Sequence, residues 1–116
     1  MVNIKRVYEA SRPDDGLRVL VDRLWPRGLS KAKATVDLWL RDVAPSDAAR
    51  KRFGHDPQRW PAFRRTYQTE LRGKGALLRT LRGLEREHGT ITLLYAASDT
   101  TRNNAVVLAA LLARRR

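Results

Sequence analysis

Two arginines four residues apart, Arg23 and Arg27, flank Leu24-Trp25-Pro26, with Asp22 just before them and Gly28 just after. Guanidinium forks grip phosphate or carboxylate oxygens through paired N–H groups and keep their charge at any physiological pH. The chemistry indicated is anion binding. Pro26 has no N–H and pushes Trp25 away from helical angles, while Gly28 opens backbone conformations closed to other residues. The run before them, Leu17-Arg18-Val19-Leu20-Val21, reads as a strand. Two cations and a carboxylate therefore sit just past a strand end, where open α/β sheets place ligands.

A second group lies near the end of the chain. Thr90-Ile91-Thr92-Leu93-Leu94-Tyr95 is a continuous β-favouring run of the kind buried on both faces of a sheet. Ala96-Ala97-Ser98-Asp99 follows, and a final helix begins at about Arg102. If this strand neighbours the first and runs parallel to it, the loops 22–28 and 95–104 face each other as two rims of a cationic cup. The helix start adds N–H groups without intrahelical partners. The ligand-binding candidates are Asp22, Arg23, Trp25, Arg27, Tyr95 and Asn103, and a small phosphate- or carboxylate-type anion is the expected guest. His55 and Asp99 are the acid–base candidates should the site be enzymatic, since an imidazole is suited to proton transfer near neutral pH. Each has a structural alternative. Asp22 and Arg23 could fasten their loop, Asp99 could cap a helix, Asn103 could hold the loop, and His55 could bond a carbonyl in a helix–helix turn.

Positioning these groups takes a small α/β domain. Ile4-Lys5-Arg6-Val7-Tyr8 reads as a short strand, and Ser11-Arg12-Pro13-Asp14-Asp15-Gly16 as turn chemistry. The connection is too short for a helical crossover, so the first two strands are expected to be antiparallel, or the first a peripheral edge. Ser30 suits the cap of a short turn, and residues 36–41 fit a strand or a helix equally. Ser46 caps a helix ending at Phe53-Gly54, and Asp56-Pro57 opens the next. That helix carries Trp60, Phe63, Tyr67 and Leu71 at spacings of three and four, a core-facing stripe. After Gly73-Lys74-Gly75, Leu77, Leu78, Leu81 and Leu84 mark another helix. The last one is apolar nearly all round, which implies packing on the sheet, and Arg114-Arg115-Arg116 reads as a frayed tail. The fold class is α/β: one small domain over residues 1–116, a short mostly parallel sheet packed with helices in an α/β sandwich.

Composition narrows the function classes. With no cysteine there is no disulfide framework, thiolate metal site or cysteine nucleophile. His55 and His88 are too far apart in sequence to suggest a metal centre, and no cofactor is expected. Walker loop, dinucleotide glycine fingerprint and nucleophile elbow are all missing from the sequence. The segment Met1-Val2-Asn3-Ile4-Lys5-Arg6 lacks the apolar run of a signal peptide. No stretch approaches the ~20 apolar residues of a membrane span. A cytoplasmic protein without a membrane partner is expected. The net charge of +12, from nineteen arginines and five lysines against twelve acids, has two readings. One is a solvated surface coloured by a GC-rich coding sequence. The other is attraction to polyanions, with Arg79, Arg82 and Arg86 opposite the leucines gripping phosphate backbones without reading sequence. Nonspecific nucleic-acid binding is thus the alternative function, and a protein-interaction domain the second alternative.

The stretch Arg18-Val19-Leu20-Val21-Asp22-Arg23-Leu24-Trp25-Pro26-Arg27-Gly28 resembles the hallmark of the YeaO-like family, a branch of a larger superfamily. Trp39 with Ala44-Pro45-Ser46 is similar to the same family, as is Phe53-Gly54-His55-Asp56-Pro57 with Trp60, Phe63, Tyr67, Glu70 and Leu71. So is Thr92-Leu93-Leu94-Tyr95-Ala96-Ala97 ahead of Asp99, Asn103, Ala105 and Leu108. The resemblance covers almost the whole chain in order. It implies an α/β sandwich of a bacterial, cytoplasmic type and no particular activity. Where the family often has Asn-His-Ala after the last strand, this chain has Asn103-Asn104-Ala105, and related branches carry Cys-His-Arg. A mechanism needing an imidazole or thiol from this loop would lack it here.

Overall fold

In the computed structural model, which describes residues 1–114, all four strands run parallel, in the order β1-β4-β2-β3. They are β1 (Val2–Arg6), β2 (Leu17–Leu20), β3 (Leu38–Trp39) and β4 (Ile91–Tyr95). The last two arginines of the expected frayed tail lie outside the described residues. Five α-helices complete the fold: α1 (Lys31–Ala34), α2 (Asp47–Phe53), α3 (Trp60–Arg72), α4 (Gly75–His88) and α5 (Asn104–Ala113). The α/β class, with a parallel sheet packed by helices, is as the sequence pattern led one to expect. No helix among the described residues is long and apolar enough to cross a membrane.

The antiparallel pairing expected of the first two strands does not form. β1 is instead the peripheral edge, pairing in parallel with β4 from Val2↔Ile91 to Arg6↔Tyr95. The intervening chain, residues 7–16, can extend by roughly 3.3 Å per residue. That reach is ample to run back along a five-residue strand, so no helix is needed for the return. Gly16 makes the re-entry possible. Its φ is +63°, and a Cβ there would lie 2.1 Å from the carbonyl oxygen of Thr90. β3, at the opposite edge, resolves the ambiguous 36–41 stretch in favour of a two-residue strand.

Strand alternation sends the side chains to two different layers. Val19, Val21, Ile91, Leu93 and Tyr95 enter the larger core with residues of α2 to α5, including Phe53, Phe63, Tyr67, Leu71, Leu81 and Leu108. The aromatic stripe of α3 is core, as its spacing predicts. Phe63 stacks on Phe53 at 4.6 Å, and the buried Tyr67 hydroxyl donates to the Val43 carbonyl at 2.6 Å. Ser46 caps α2 by accepting from Ala49 N–H at 3.1 Å, and its own hydroxyl donates to Glu70 at 2.6 Å. On the other face Val7, Leu20 and Leu94 pack with Ala34, Trp25, Leu29 and Trp39.

That second layer also contains a charge the apolar pattern of β2 hides. Arg18 is 2% exposed. Its guanidinium donates to Asp15 at 2.6 Å and to the carbonyls of Thr35 (2.8 Å) and Ala34 (3.1 Å). Lys5 also reaches the Asp15 carboxylate, at 3.0 Å. Asp15 is held below its ordinary value: burial pushes it up, but the Arg12 N–H, Lys5 and Arg18 together outweigh that. Removing one partner of a buried pair strands the others in a medium that solvates charge poorly. Arg18→Met is therefore expected to destabilise the fold by about 3 kcal/mol, read as the shift in urea-denaturation midpoint at unchanged slope. A loss below about 1 kcal/mol would mean that this cluster does not hold the layer together.

Candidate functional site

Because β2 and β4 are parallel neighbours, in register from Leu17↔Ile91 to Leu20↔Leu94, their C-terminal ends open onto the same edge of the sheet. Val21 N–H still bonds to the Leu94 carbonyl at 3.1 Å, after which the first chain leaves the sheet, and β4 ends one residue later at Tyr95. The loops 22–28 and 95–104 do face each other. Asp22 links them directly. One carboxylate oxygen accepts from Ala96 N–H at 2.9 Å and the other from Asn104 Nδ2 at 3.0 Å. Asn104 Nδ2 also donates to the Val21 carbonyl at 3.1 Å, and Trp39 Nε1 donates to the Asp22 carbonyl at 2.8 Å. Burial raises the pKa of Asp22, opposed by these hydrogen bonds and by His55 across the site. Since its folded value lies above its unfolded one, its contribution to stability is full at low pH and is lost as pH rises through the folded value.

Beside this knot is a cavity of about 440 Å³. Asp22, Arg23, Trp25, Arg27, His55 and Asn103 all line it, so six of the eight sequence-derived candidates converge there. Arg50 and Arg102 bring the arginines in the wall to four, against the single acid Asp22. Arg23 Nε is buried without a hydrogen bond and stands 4.0 Å from Asp47, an ion-pair distance only. Arg27 is exposed, and among the described residues its guanidinium has no partner; its carbonyl accepts from the Tyr8 hydroxyl at 3.0 Å. His55 is exposed on the wall with φ +60°, a left-handed conformation that costs a non-glycine residue energy. Its ring centroid lies 6.0 Å from that of Phe53.

Tyr95 and Asp99 are not on the cavity wall. Tyr95 is the last residue of β4 and turns into the core, 3% exposed, with its phenol pushed up chiefly by burial. Asp99 folds back on its own loop, accepting from Thr101 N–H, Thr101 hydroxyl and Arg102 N–H, each at 3.0 Å. These bonds, led by the Thr101 N–H, hold its carboxyl at about 2. Asn103 lines the wall, but its amide is committed: Oδ1 caps α5 by accepting from Val106 N–H, and Nδ2 donates to the Asp99 carbonyl, both at 3.0 Å.

Sequence reasoning missed Tyr8, Arg50, Asn104 and the aromatic wall of Phe53 and Phe63. Arg50 sits in a run of basic residues that reads as a solvated helix face, and the two phenylalanines fall in a stripe that reads as core, which they also are. Only Asn104 carried a signal, being a polar side chain at the head of an apolar helix. The depressed pKa of Asp99 means that its charge stabilises the fold above about 3.8 and that this is lost as pH falls towards about 2. Asp99→Ala should therefore lower Tm at pH 7, with the gap to the parent narrowing through that acid window when thermal melts are followed by circular dichroism. A gap independent of pH would contradict the assignment.

An uncharacterised protein of Mycobacterium tuberculosis (strain ATCC 25618 / H37Rv) is 44% identical over 113 residues, covering 96% of this chain and 92% of that one. The uncharacterised protein YeaO of Escherichia coli (strain K12) is 39% identical over 108 residues, 93% of each chain. No solved structure matches. The family model described as the inactive DUF488-N3 subclade matches residues 1–116, and the chain belongs to that YeaO-like family.

Proposed function

We propose that this domain binds a small anion, of phosphate or carboxylate type, in the cavity between loops 22–28 and 95–104, and that it does so without turning it over. The observation that carries this reading is four arginines lining one open cavity with a single carboxylate in its wall. Arg23 and Arg27 have hydrogen-bonding capacity that the described residues leave unused. The Arg23 guanidinium, with its Nε out of water, attracts an anion more strongly than a fully solvated one does.

Binding without chemistry is favoured over catalysis by the same geometry. Asp99 is committed to its loop and the Asn103 amide to capping α5. Asn104, where the family often has a histidine, offers an amide that cannot shuttle a proton. The subclade's description as inactive agrees. Of the wall's acid–base groups, Asp22 is held by Ala96 N–H and Asn104, which leaves the exposed His55.

Titration of the protein with inorganic phosphate at low ionic strength, followed by calorimetry or amide chemical shifts, tests the proposal. Arg23→Gln and Arg27→Gln should each weaken binding by about tenfold or more, the scale of one charge-assisted hydrogen bond. Added salt should weaken the parent further. Unchanged affinity in the double variant, or no binding to the parent, would overturn it.

A further inference from the structure

The cavity is much larger than a tetrahedral anion needs, and its wall is divided. At about 440 Å³ it is in the range of sites for small organic ligands. Phosphate against the arginines would leave most of it unfilled. Resting on the anion-binding reading, we infer that the natural guest is a nucleoside monophosphate, with its phosphate on the arginines, its ribose against Asp22 and Asn104, and its base against His55 and Phe53.

Three features of the wall carry this inference. First, the cationic part suits phosphate more than carboxylate. One guanidinium fork satisfies a carboxylate, whereas Arg23 and Arg27 bring two forks with donors to spare, and Arg50 and Arg102, paired with Asp47 at 3.4 Å and Asp99 at 3.2 Å, add further positive charge to the wall. Second, the Asp22 and Asn104 side offers acceptors. Each Asp22 oxygen takes one internal hydrogen bond and has a lone pair left, and Asn104, whose Nδ2 donates to Val21 and Asp22, has an Oδ1 that accepts none among the described residues. Acceptors in a wall call for donors on the ligand, and ribose hydroxyls supply them; a plain aryl phosphate does not. Third, the remaining wall carries aromatic and apolar side chains. Phe53 is buried against Phe63, with the exposed His55 ring tilted 51° to it at 6.0 Å, and Ala44, Pro45 and Trp25 continue the surface. A planar base fits such a surface because every base presents a π-face.

The arrangement also separates a mononucleotide from a long nucleic acid. The acceptors and the aromatic side chains line one cavity of about 440 Å³, a volume suited to one nucleotide unit and not to a repeating backbone.

Calorimetry on the full chain with four probes tests the inference: inorganic phosphate, ribose 5-phosphate, adenosine and adenosine 5′-monophosphate. The monophosphate should bind on the order of tenfold tighter than ribose 5-phosphate, the scale of one stacked base, and adenosine alone should bind more weakly than either phosphorylated sugar. His55→Gly removes the exposed ring while suiting the left-handed backbone there, so the fold is kept. It should weaken the monophosphate and leave inorganic phosphate unchanged. Equal affinity for all three phosphates would overturn the nucleotide assignment and leave the anion pocket standing. Failure of every phosphate to bind would bring down the anion reading itself. Adenosine binding as tightly as its monophosphate would also overturn the inference, since the arginines would then contribute nothing.

Discussion

The carboxylate of Asp22 is the contact on which this site depends. It stands where β2 leaves the sheet and accepts hydrogen bonds from the loop after β4 and from the first residue of α5. Its carbonyl receives the indole N–H of Trp39 from β3. Four pieces of tertiary structure, β2, β3, the loop after β4 and α5, thus meet on one residue. The cost is a buried charge, visible in the upward shift of its pKa. The return is geometric, because pinning both loops to one point fixes the distance between the arginine rim and the rim carrying Asn103 and Asn104.

The same economy appears on the other face of the sheet. A two-layer domain of this size has few helices to spare, and here α2 to α5 cover one face. The opposite face is closed by the return chain, α1 and the tryptophans of the 22–28 and 36–41 segments. Trp25 and Trp39 meet edge to face with ring centroids 5.5 Å apart, and Trp25 Nε1 donates to the Leu29 carbonyl at 2.7 Å. Trp25 is therefore both a plug for the second core and part of the cavity wall. Arg18 finishes the layer, replacing the water its neighbours' carbonyls would otherwise need. A long side chain with five N–H donors can satisfy several buried acceptors at once, which a shorter polar residue could not.

The strong positive charge takes on a local meaning in this frame. Several arginines are spent within the protein: Arg18 in the core, Arg6 on the carbonyls of Ala96 and Ala97, and Arg41 over the Trp39 ring at 4.1 Å. Arg23 and Arg27 are different, because the described residues do not use up their donors. Net charge alone cannot distinguish these cases. Burial and partners do.

Much of the architecture was legible from local rules. The Ser46 cap, the glycine after α2, the Asp56-Pro57 start and the amphipathic stripe of α3 each follow from interactions within a few residues, and so does the strand run before Asp22. The sequence also determined the presence of two cations at a Trp-Pro bend, since residue types are all that statement needs, whereas their unspent donors are a matter of tertiary contacts. Tertiary structure alone decided the rest. The parallel placement of β1 beyond β4 depends on long-range hydrogen bonding, and a ten-residue connection permits either direction. Whether Asp99 faced the cup or its own loop turned on which donors lay within 3.0 Å. Tyr95, expected at the ligand from its place at a strand end, goes to the core alone, while Phe53, expected only as a helix end, serves core and cavity both. Residues far apart in the chain share a wall only once the sheet's register fixes where they end, and that register is set by the whole core.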